Sequence, residues 1–420
     1  MMKDYLDICP ADSLKVHILL PASKSISNRA LLINALSRST ETPQNVSDCD
    51  DTKVMLAALR DMPEVIDIGA AGTAMRFLTA YLCVTPGTHT ITGTERMRQR
   101  PIAVLVNALR QLGAGVEYAG EEGFPPLRIT GNEHLQGGEL SLPGNVSSQY
   151  ISALLMIAPV LADGLRLQLT GNIVSRPYLD MTVAMMQEFG AKVEWESDSV
   201  IRVFPVPYVS RSYVIENDWS AASYWYEMVA LSRDLDAEVI LSGLYRESMQ
   251  GDSFVSKIYD SLGVETVYFR EADGTETVRL TKKRVSVSCF CYDCSRQPDL
   301  AQTLAVTCAM LGLPFELSGL QTLRIKETDR IAALEAELEK LGVKTESTDS
   351  KLSWEGTTAP LLGTSSYPEI ATYEDHRMAM SFAPACFRVG TLRVCHPDVV
   401  SKSYPSFWKD MEKTGFCLRS

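Results

Sequence analysis

Apolar residues recur at i, i+3, i+4 and i+7 in one phrase after another along this chain, and each phrase ends at a glycine before a β-rich segment. Residues 102–118 read IAVLVNALRQLGAGVEY, 181–195 MTVAMMQEFGAKVEW, 254–268 FVSKIYDSLGVETVY and 331–346 IAALEAELEKLGVKTE. That spacing puts one apolar face on a helix. A glycine just past the helix end takes the left-handed conformation that stops it. The pivotal glycines are Gly113, Gly190, Gly263 and Gly342, with a weaker copy closing at Gly415, and neighbouring copies lie 73 to 79 residues apart. A further weak copy, KVMLAALRDMPEVIDIG, covers residues 53–69. Helix–Gly–strand recurs in any α/β protein, but the even spacing favours true repeats. The pattern predicts an α/β protein of six repeats, each long enough for more than one βα pair, with three repeats in each of two domains.

Composition narrows the class. With 45% hydrophobic and 22% charged residues, the chain reads as an ordinary soluble globular protein. No apolar run is long enough to span a bilayer. The N-terminal stretch MMKDYLDICPADSLKVHILL has neither a signal-peptide nor a transit-peptide character, so the expectation is a cytoplasmic protein with no membrane partner. A net charge of −12 argues against nucleic-acid binding but leaves room for cations gathered inside a cleft. Ten cysteines are scattered, apart from Cys289, Cys291 and Cys294 in SCFCYDCS. A zinc site needs a fourth ligand, and none lies nearby, so reduced thiols and no metal are expected.

The polar exceptions to the apolar pattern carry the chemistry. In LLPASKSISNRALLINAL, residues 19–36, Lys24, Ser25, Ser27 and Arg29 crowd a predicted helix start. Ser25 or Ser27 could cap that helix. Cations are unfavourable there unless an anion binds. Gly69, Gly72, Thr73 and Arg76 open another predicted helix, with no Walker spacing. Arg96, Arg98 and Arg100 precede Pro101, read as the first residue of a third helix. Ser147, Ser148 and Gln149 precede a fourth. RIKETDRIAALEAEL, residues 324–338, brings Arg324, Lys326, Glu327 and Arg330, with Thr328 or Asp329 as cap. Asp299 follows a proline and reads as a cap, TYEDHRMAM holds Glu374, Asp375, His376 and Arg377, and SKSYPSFW holds Lys402. Each has an ordinary explanation in helix capping. Together they repeat one design, helix N-termini furnished with Ser, Lys or Arg, which suits a polyanionic ligand.

In this order, SKSISNRALL, GTAMRFLTA, RMRQRPI, SSQYISALLM, SRPYLDMT, RIKETDRI, DHRMAM and SKSYPSFW resemble the 5-enolpyruvylshikimate-3-phosphate synthase family, over nearly the whole chain from about residue 14. The resemblance implies a two-domain inside-out α/β barrel of six βαβαββ repeats. The first domain would be 14–216 and the second 1–13 plus 217–420, with the active site in the cleft between them. It implies transfer of the enolpyruvyl group of phosphoenolpyruvate to the 5-hydroxyl of shikimate 3-phosphate, a step towards chorismate and aromatic amino acids, by a monomer without metal or organic cofactor. Shikimate 3-phosphate would be held by Lys24, Ser25, Arg29, Ser147, Ser148, Gln149, Ser175, Tyr178, Asp299 and Lys326. Phosphoenolpyruvate would be held by Lys24, Gly72, Thr73, Arg100, Gln149, Arg330, Arg377 and Lys402. Asp299, Glu327 and Lys24 would be catalytic: Asp299 takes the 5-hydroxyl proton, and Glu327 protonates the methylene carbon and later removes a proton from the methyl.

Three positions depart from the family pattern: Ala70 for a common Asn, Phe77 for a common Pro and Thr322 for an Asn. Ala70 removes one polar contact, worth about 1 kcal/mol, and bears on the response to glyphosate. Two rivals remain. A UDP-N-acetylglucosamine enolpyruvyl transferase would need a loop cysteine, and residues 90–120 contain none. A non-catalytic polyanion binder would have no use for both Asp299 and Glu327.

Overall fold

The computed structural model describes residues 4–356 and 367–420. The chain forms two compact units. An inserted unit comprises Ala22–Ile215, and a terminal unit comprises Met1–Pro21 with Glu216–Ser420. Residues 14–21 thus belong with the terminal unit, against the expectation of a crossing near residue 13. The reason is strand pairing: Lys15–Leu19 lies parallel to Glu238–Ser242, in register from Lys15 opposite Glu238 to Leu19 opposite Ser242.

Among the described residues the strands form five four-stranded sheets. Two lie in the inserted unit. One orders Val65–Asp67, Gly87–Thr92, Leu127–Gly131 and Gly115–Tyr118. The other orders Gly138–Pro143, Leu165–Thr170, Val200–Val203 and Val193–Ser197. In both, the first pair is parallel and the next two are antiparallel, giving spatial order 1-2-4-3. The terminal unit repeats this order with Phe290–Asp293, Phe315–Ser318, Leu352–Trp354 and Glu346–Ser347, and with Lys15–Leu19, Glu238–Ser242, Glu276–Lys282 and Val264–Arg270. Its third sheet closes the chain on itself. Glu369–Ile370, Leu392–Cys395 and Cys417–Arg419 leave the place of the fourth strand to the N-terminal Tyr5–Cys9. The sixth repeat keeps its helices, Lys24–Leu36 and Asp50–Asp61, but its strands shrink to an isolated bridge between Gln44 and Val214.

Each parallel pair is joined through a helix that is buried almost all round. Every residue of Gly72–Cys83 is buried, and every residue of Trp219–Leu231 except Ser220. A helix apolar on all sides has no solvent face. Three such helices pack together within each unit: Lys24–Leu36, Gly72–Cys83 and Ser148–Ile157 in one; Trp219–Leu231, Ala301–Leu311 and His376–Phe382 in the other. The sheets lie outside them and alternate buried and open positions, as in Leu165–Thr170. The fold is therefore inside-out, with helices at the centre. The second helix of each repeat buries one face only, as the periodicity predicts. Ala103–Gln111 buries Leu105, Val106, Ala108 and Leu109. The expected stop glycines all lie at positive φ, from 83° at Gly342 to 96° at Gly263. The weak copy at 53–69 ends instead at Met62, which takes the left-handed position itself, at φ 41°.

No helix among the described residues is long and apolar enough to cross a membrane. Cys289 and Cys291 are exposed with sulfurs 3.9 Å apart, whereas Cys294 is buried. Among the described residues no group of three or more metal-ligating side chains is placed to hold an ion.

Candidate functional site

The inserted unit gathers its candidates at the starts of its three central helices. Lys24, Ser25 and Arg29 lie in the first turns of Lys24–Leu36, where Ser23, not Ser25 or Ser27, is the cap: its hydroxyl accepts from the Ile26 amide at 3.4 Å. Gly72 and Thr73 open the second helix. Ser147 caps the third, accepting from the Gln149 amide at 3.4 Å, with Ser148 and Gln149 as its first residues. Gln149 Nε2 donates to Thr73 Oγ1 at 3.0 Å, tying the second helix to the third. Ser175 holds a left-handed conformation, φ 57°, just before the helix Arg176–Glu188 that carries Tyr178.

Arg29 is the centre of this group. It is 2% exposed, and its guanidinium donates to Thr182 Oγ1 at 2.7 Å, Ser152 Oγ at 3.2 Å and the Ser25 carbonyl at 2.9 Å. All three partners are neutral. The Phe77 and Tyr178 rings lie 5.3 and 6.0 Å from the guanidinium carbon, so the Phe77 departure places an aromatic face beside this arginine. Burial lowers the Arg29 pKa to about 10, with Tyr178 acting against the shift. A buried cation whose partners are neutral acceptors and rings is costly until an anion joins it.

Lys24 turns to Asp51, 3.5 Å away. Arg96 and Arg98 do not join the group. They lie exposed on a short helix, Glu95–Arg98, capped by Thr94, and Pro101 stands before the helix Ala103–Gln111 rather than inside it. Arg100 alone is buried, against Gly72: a Cβ at residue 72 would sit 2.7 Å from Arg100 Nη1. That close approach is what glycine permits there. Ala70 is exposed in the turn before the helix.

The terminal unit assembles the remaining candidates into one interlocked charge network. Asp299, on a turn entering Ala301–Leu311, meets Arg377 Nη2 at 2.9 Å, Arg330 Nη1 at 3.2 Å and Lys326 Nζ at 3.7 Å. The Asp299 cap expected from sequence is thus replaced by ion pairing. Glu327 meets Arg330 Nη2 at 3.0 Å and Lys402 Nζ at 3.1 Å. Arg330 is buried and also pairs with Asp375 at 2.7 Å. Burial works against charge on Arg330, but Asp375, then Glu327 and Asp299, outweigh it and raise its pKa. Desolvation lowers the Lys326 pKa, and Asp299 opposes the shift. Local structure sets these positions. Asp329 caps Arg330–Lys340 through the Ile331 and Ala332 amides, and Asp375 caps His376–Phe382 through the Arg377 amide.

Sequence reasoning did not assign Thr182, Ser152 or Asp375 to the site. The two hydroxyls sit on otherwise apolar helix faces, where a buried polar residue is the available signal. Asp375 was visible only as part of D-H-R.

The family model described as EPSP synthase (3-phosphoshikimate 1-carboxyvinyltransferase) matches residues 8–66 and 61–411. The chain belongs to the EPSP synthase family. A 3-phosphoshikimate 1-carboxyvinyltransferase of Bacteroides fragilis is 57% identical over 417 residues, covering 99% of this chain and 98% of the relative. One from Bordetella parapertussis is 36% identical, covering 96% of each chain. An Acinetobacter baumannii EPSP synthase structure superposes with a TM-score of 0.78 at 23% identity, covering both chains completely. The enolpyruvyl transferase NikO of Streptomyces tendae superposes with a TM-score of 0.71 at 14% identity over 99% of this chain and 98% of that one. The last two establish likeness of fold. The departures at Ala70, Phe77 and Thr322 thus stand within an EPSP synthase framework.

Proposed function

We propose that this chain transfers the enolpyruvyl group of phosphoenolpyruvate to the 5-hydroxyl of shikimate 3-phosphate and releases phosphate through a tetrahedral adduct. The observation that carries the reading is the sharing of Arg330 by Asp299 and Glu327, each carboxylate also holding its own second cation, Arg377 and Lys402 respectively. Two carboxylates in such distinct surroundings can take two roles.

In this reading Asp299 accepts the 5-hydroxyl proton as that oxygen bonds to C2 of phosphoenolpyruvate, and Glu327 delivers a proton to the methylene carbon. Free of substrate, Arg330 and Lys402 favour ionised Glu327. A bound phosphate and carboxylate spend part of that positive field and let Glu327 hold the proton it must give. In the elimination half, Glu327 removes a proton from the new methyl group, the carbon–oxygen bond to phosphate breaks, and Lys24, Arg100, Arg330, Arg377 and Lys402 stabilise the departing anion. Arg29, with Ser25, Ser147, Ser148, Ser175, Tyr178, Gln149 and Lys326, holds shikimate 3-phosphate. Gly72 and Thr73 bring backbone donors to phosphoenolpyruvate. The protein acts as a cytoplasmic monomer without metal or organic cofactor.

The test is phosphate release by purified protein with phosphoenolpyruvate and shikimate 3-phosphate in chelator-treated buffer. Release that requires both substrates supports the reading. Release only with UDP-N-acetylglucosamine as acceptor, or none with either acceptor, overturns it.

A further inference from the structure

The backbone that leads into Asp375 is left-handed at two residues in succession, Tyr373 with φ 53° and Glu374 with φ 56°. Neither is glycine, and such a pair persists only where its surroundings hold it. The strained pair stands directly before Asp375. That aspartate is fully buried, pairs with Arg330 at 2.7 Å, and caps the helix His376–Phe382 by accepting from the Arg377 amide at 2.9 Å. Arg377 in turn meets Asp299 twice, through Nη2 to the carboxylate at 2.9 Å and through Nη1 to the Asp299 carbonyl at 3.2 Å. The turn therefore sets where two members of the charge network stand.

What holds the turn is a carboxylate with no part in the mechanism above. Glu337 lies on the helix Arg330–Lys340, about two turns beyond Arg330, and is fully buried. Its Oε1 accepts from the Tyr373 hydroxyl at 2.6 Å and its Oε2 from the Ala371 amide at 3.1 Å. Lys340 pairs with Glu337 at 2.7 Å and also donates to the Glu369 carbonyl at 3.0 Å. One helix thus grips residues 369–375 at both ends. Arg330 takes Asp375, while Glu337 and Lys340 take Glu369, Ala371 and Tyr373. Hydrogen bonds to an ionised carboxylate are stronger than neutral ones, as a strained turn requires.

We infer that Glu337 is a positioning residue for phosphoenolpyruvate binding: through Tyr373 it locks the left-handed turn, and so keeps Asp375 on Arg330 and Arg377 on Asp299. No contact with substrate is required of it. The inference rests on the reading of Arg330 and Arg377 as phosphoenolpyruvate ligands made above.

The test uses the full chain and two variants. Tyr373→Phe removes one hydroxyl from a residue that is 39% exposed, so the fold should survive it. Glu337→Gln removes the charge and keeps the shape. The KM for phosphoenolpyruvate should rise about threefold in the first and about tenfold in the second. A lower melting temperature with that KM unchanged would mean a structural role and overturn the inference. Glu374→Gly added to Tyr373→Phe should bring the KM back towards wild type, because glycine holds a positive φ without strain. A KM that stays raised would overturn the part given to the strained turn. A second measurement needs no turnover. In substrate-free protein, amide hydrogen exchange across residues 371–378 should be faster in Tyr373→Phe than in wild type, and equal rates overturn the inference. Wild-type protein inactive in phosphate release, with exchange still faster in the variant, would instead count against the activity reading alone.

Discussion

Two buried arginines, one in each unit, are held in opposite ways. In the inserted unit the buried Arg29 has neutral hydrogen-bond partners only among the described residues, Thr182, Ser152 and the Ser25 carbonyl. In the terminal unit the equally buried Arg330 touches three carboxylates, Asp375, Glu327 and Asp299. A cation without a counter-ion stores attraction for an incoming anion and costs stability until one arrives. A cation within a carboxylate cluster is already neutralised, and its neighbours are free to exchange protons. Both arrangements stand on the N-termini of buried helices, so the difference lies in the side chains the sequence sets on a common frame.

The largest effect should come from removing the two carboxylates proposed to carry protons. Asp299→Ala and Glu327→Ala each lower turnover by about 10² to 10⁴, while circular dichroism and melting remain near wild type, since Arg330 keeps two carboxylates in either variant. Unchanged phosphate release by both variants would sink the catalytic assignment.

The contrast between the arginines comes next and is read in denaturant midpoints. Arg330→Met takes from the buried Asp375 its arginine partner and leaves Asp299 and Glu327 one cation fewer, and should cost about 3–5 kcal/mol. Arg29→Met strands nothing charged, because Ser152 and Thr182 stay bonded to each other at 2.9 Å and Thr182 also donates to the Tyr178 carbonyl at 2.7 Å. It should leave substrate-free stability within about 1 kcal/mol and cost about 2–5 kcal/mol in calorimetric binding of shikimate 3-phosphate. Equal destabilisation by the two variants would erase the distinction drawn between the units.

Gly72→Ala sharpens the picture of the inserted unit. The added methyl meets the tip of a flexible side chain, Arg100. Stability should barely move, while the displaced guanidinium raises the KM for phosphoenolpyruvate by about tenfold, equivalent to one charge-assisted hydrogen bond. A KM that holds steady would show that Arg100 does not need its place against Gly72.

The smallest effect concerns pH and stability in the terminal unit. Glu216, buried where the chain re-enters that unit, accepts hydrogen bonds from Ser248 and Gln250. Burial raises its pKa from 4.5 to about 7. The folded form therefore binds the proton more tightly than the unfolded form. Its contribution is fully present below pH 4.5 and is lost as pH rises to about 7. Glu216→Gln should flatten that decline, seen as a smaller loss of melting temperature between pH 5 and 7 than in wild type. An unaltered slope would show that Glu216 is ionised when folded.

Much of this was legible along the chain, and the misses have physical causes. Gly113, Gly190, Gly263, Gly342 and Gly415 stop their helices as periodicity implied, because a left-handed terminus is a local property. Helix starts were less legible. Ser23 caps where Ser25 or Ser27 was expected, and Pro101 lies before its helix, since several hydroxyls or a nearby turn can satisfy the same backbone amides. The crossing at Pro21 rather than residue 13 depended on Lys15–Leu19 finding a partner strand more than two hundred residues away. No local pattern encodes that choice.

The sequence by itself determined the repeat, the class of fold, and the residue types that crowd helix starts, because these follow from short-range periodicity and from motifs specific in their order. Only the tertiary structure decided which charges are paired. It left Arg29 among hydroxyls, set Arg330 among carboxylates, and sent Arg96 and Arg98 to the surface. Electrostatic meaning depends on distance and burial across segments remote in the chain, and packing alone sets both.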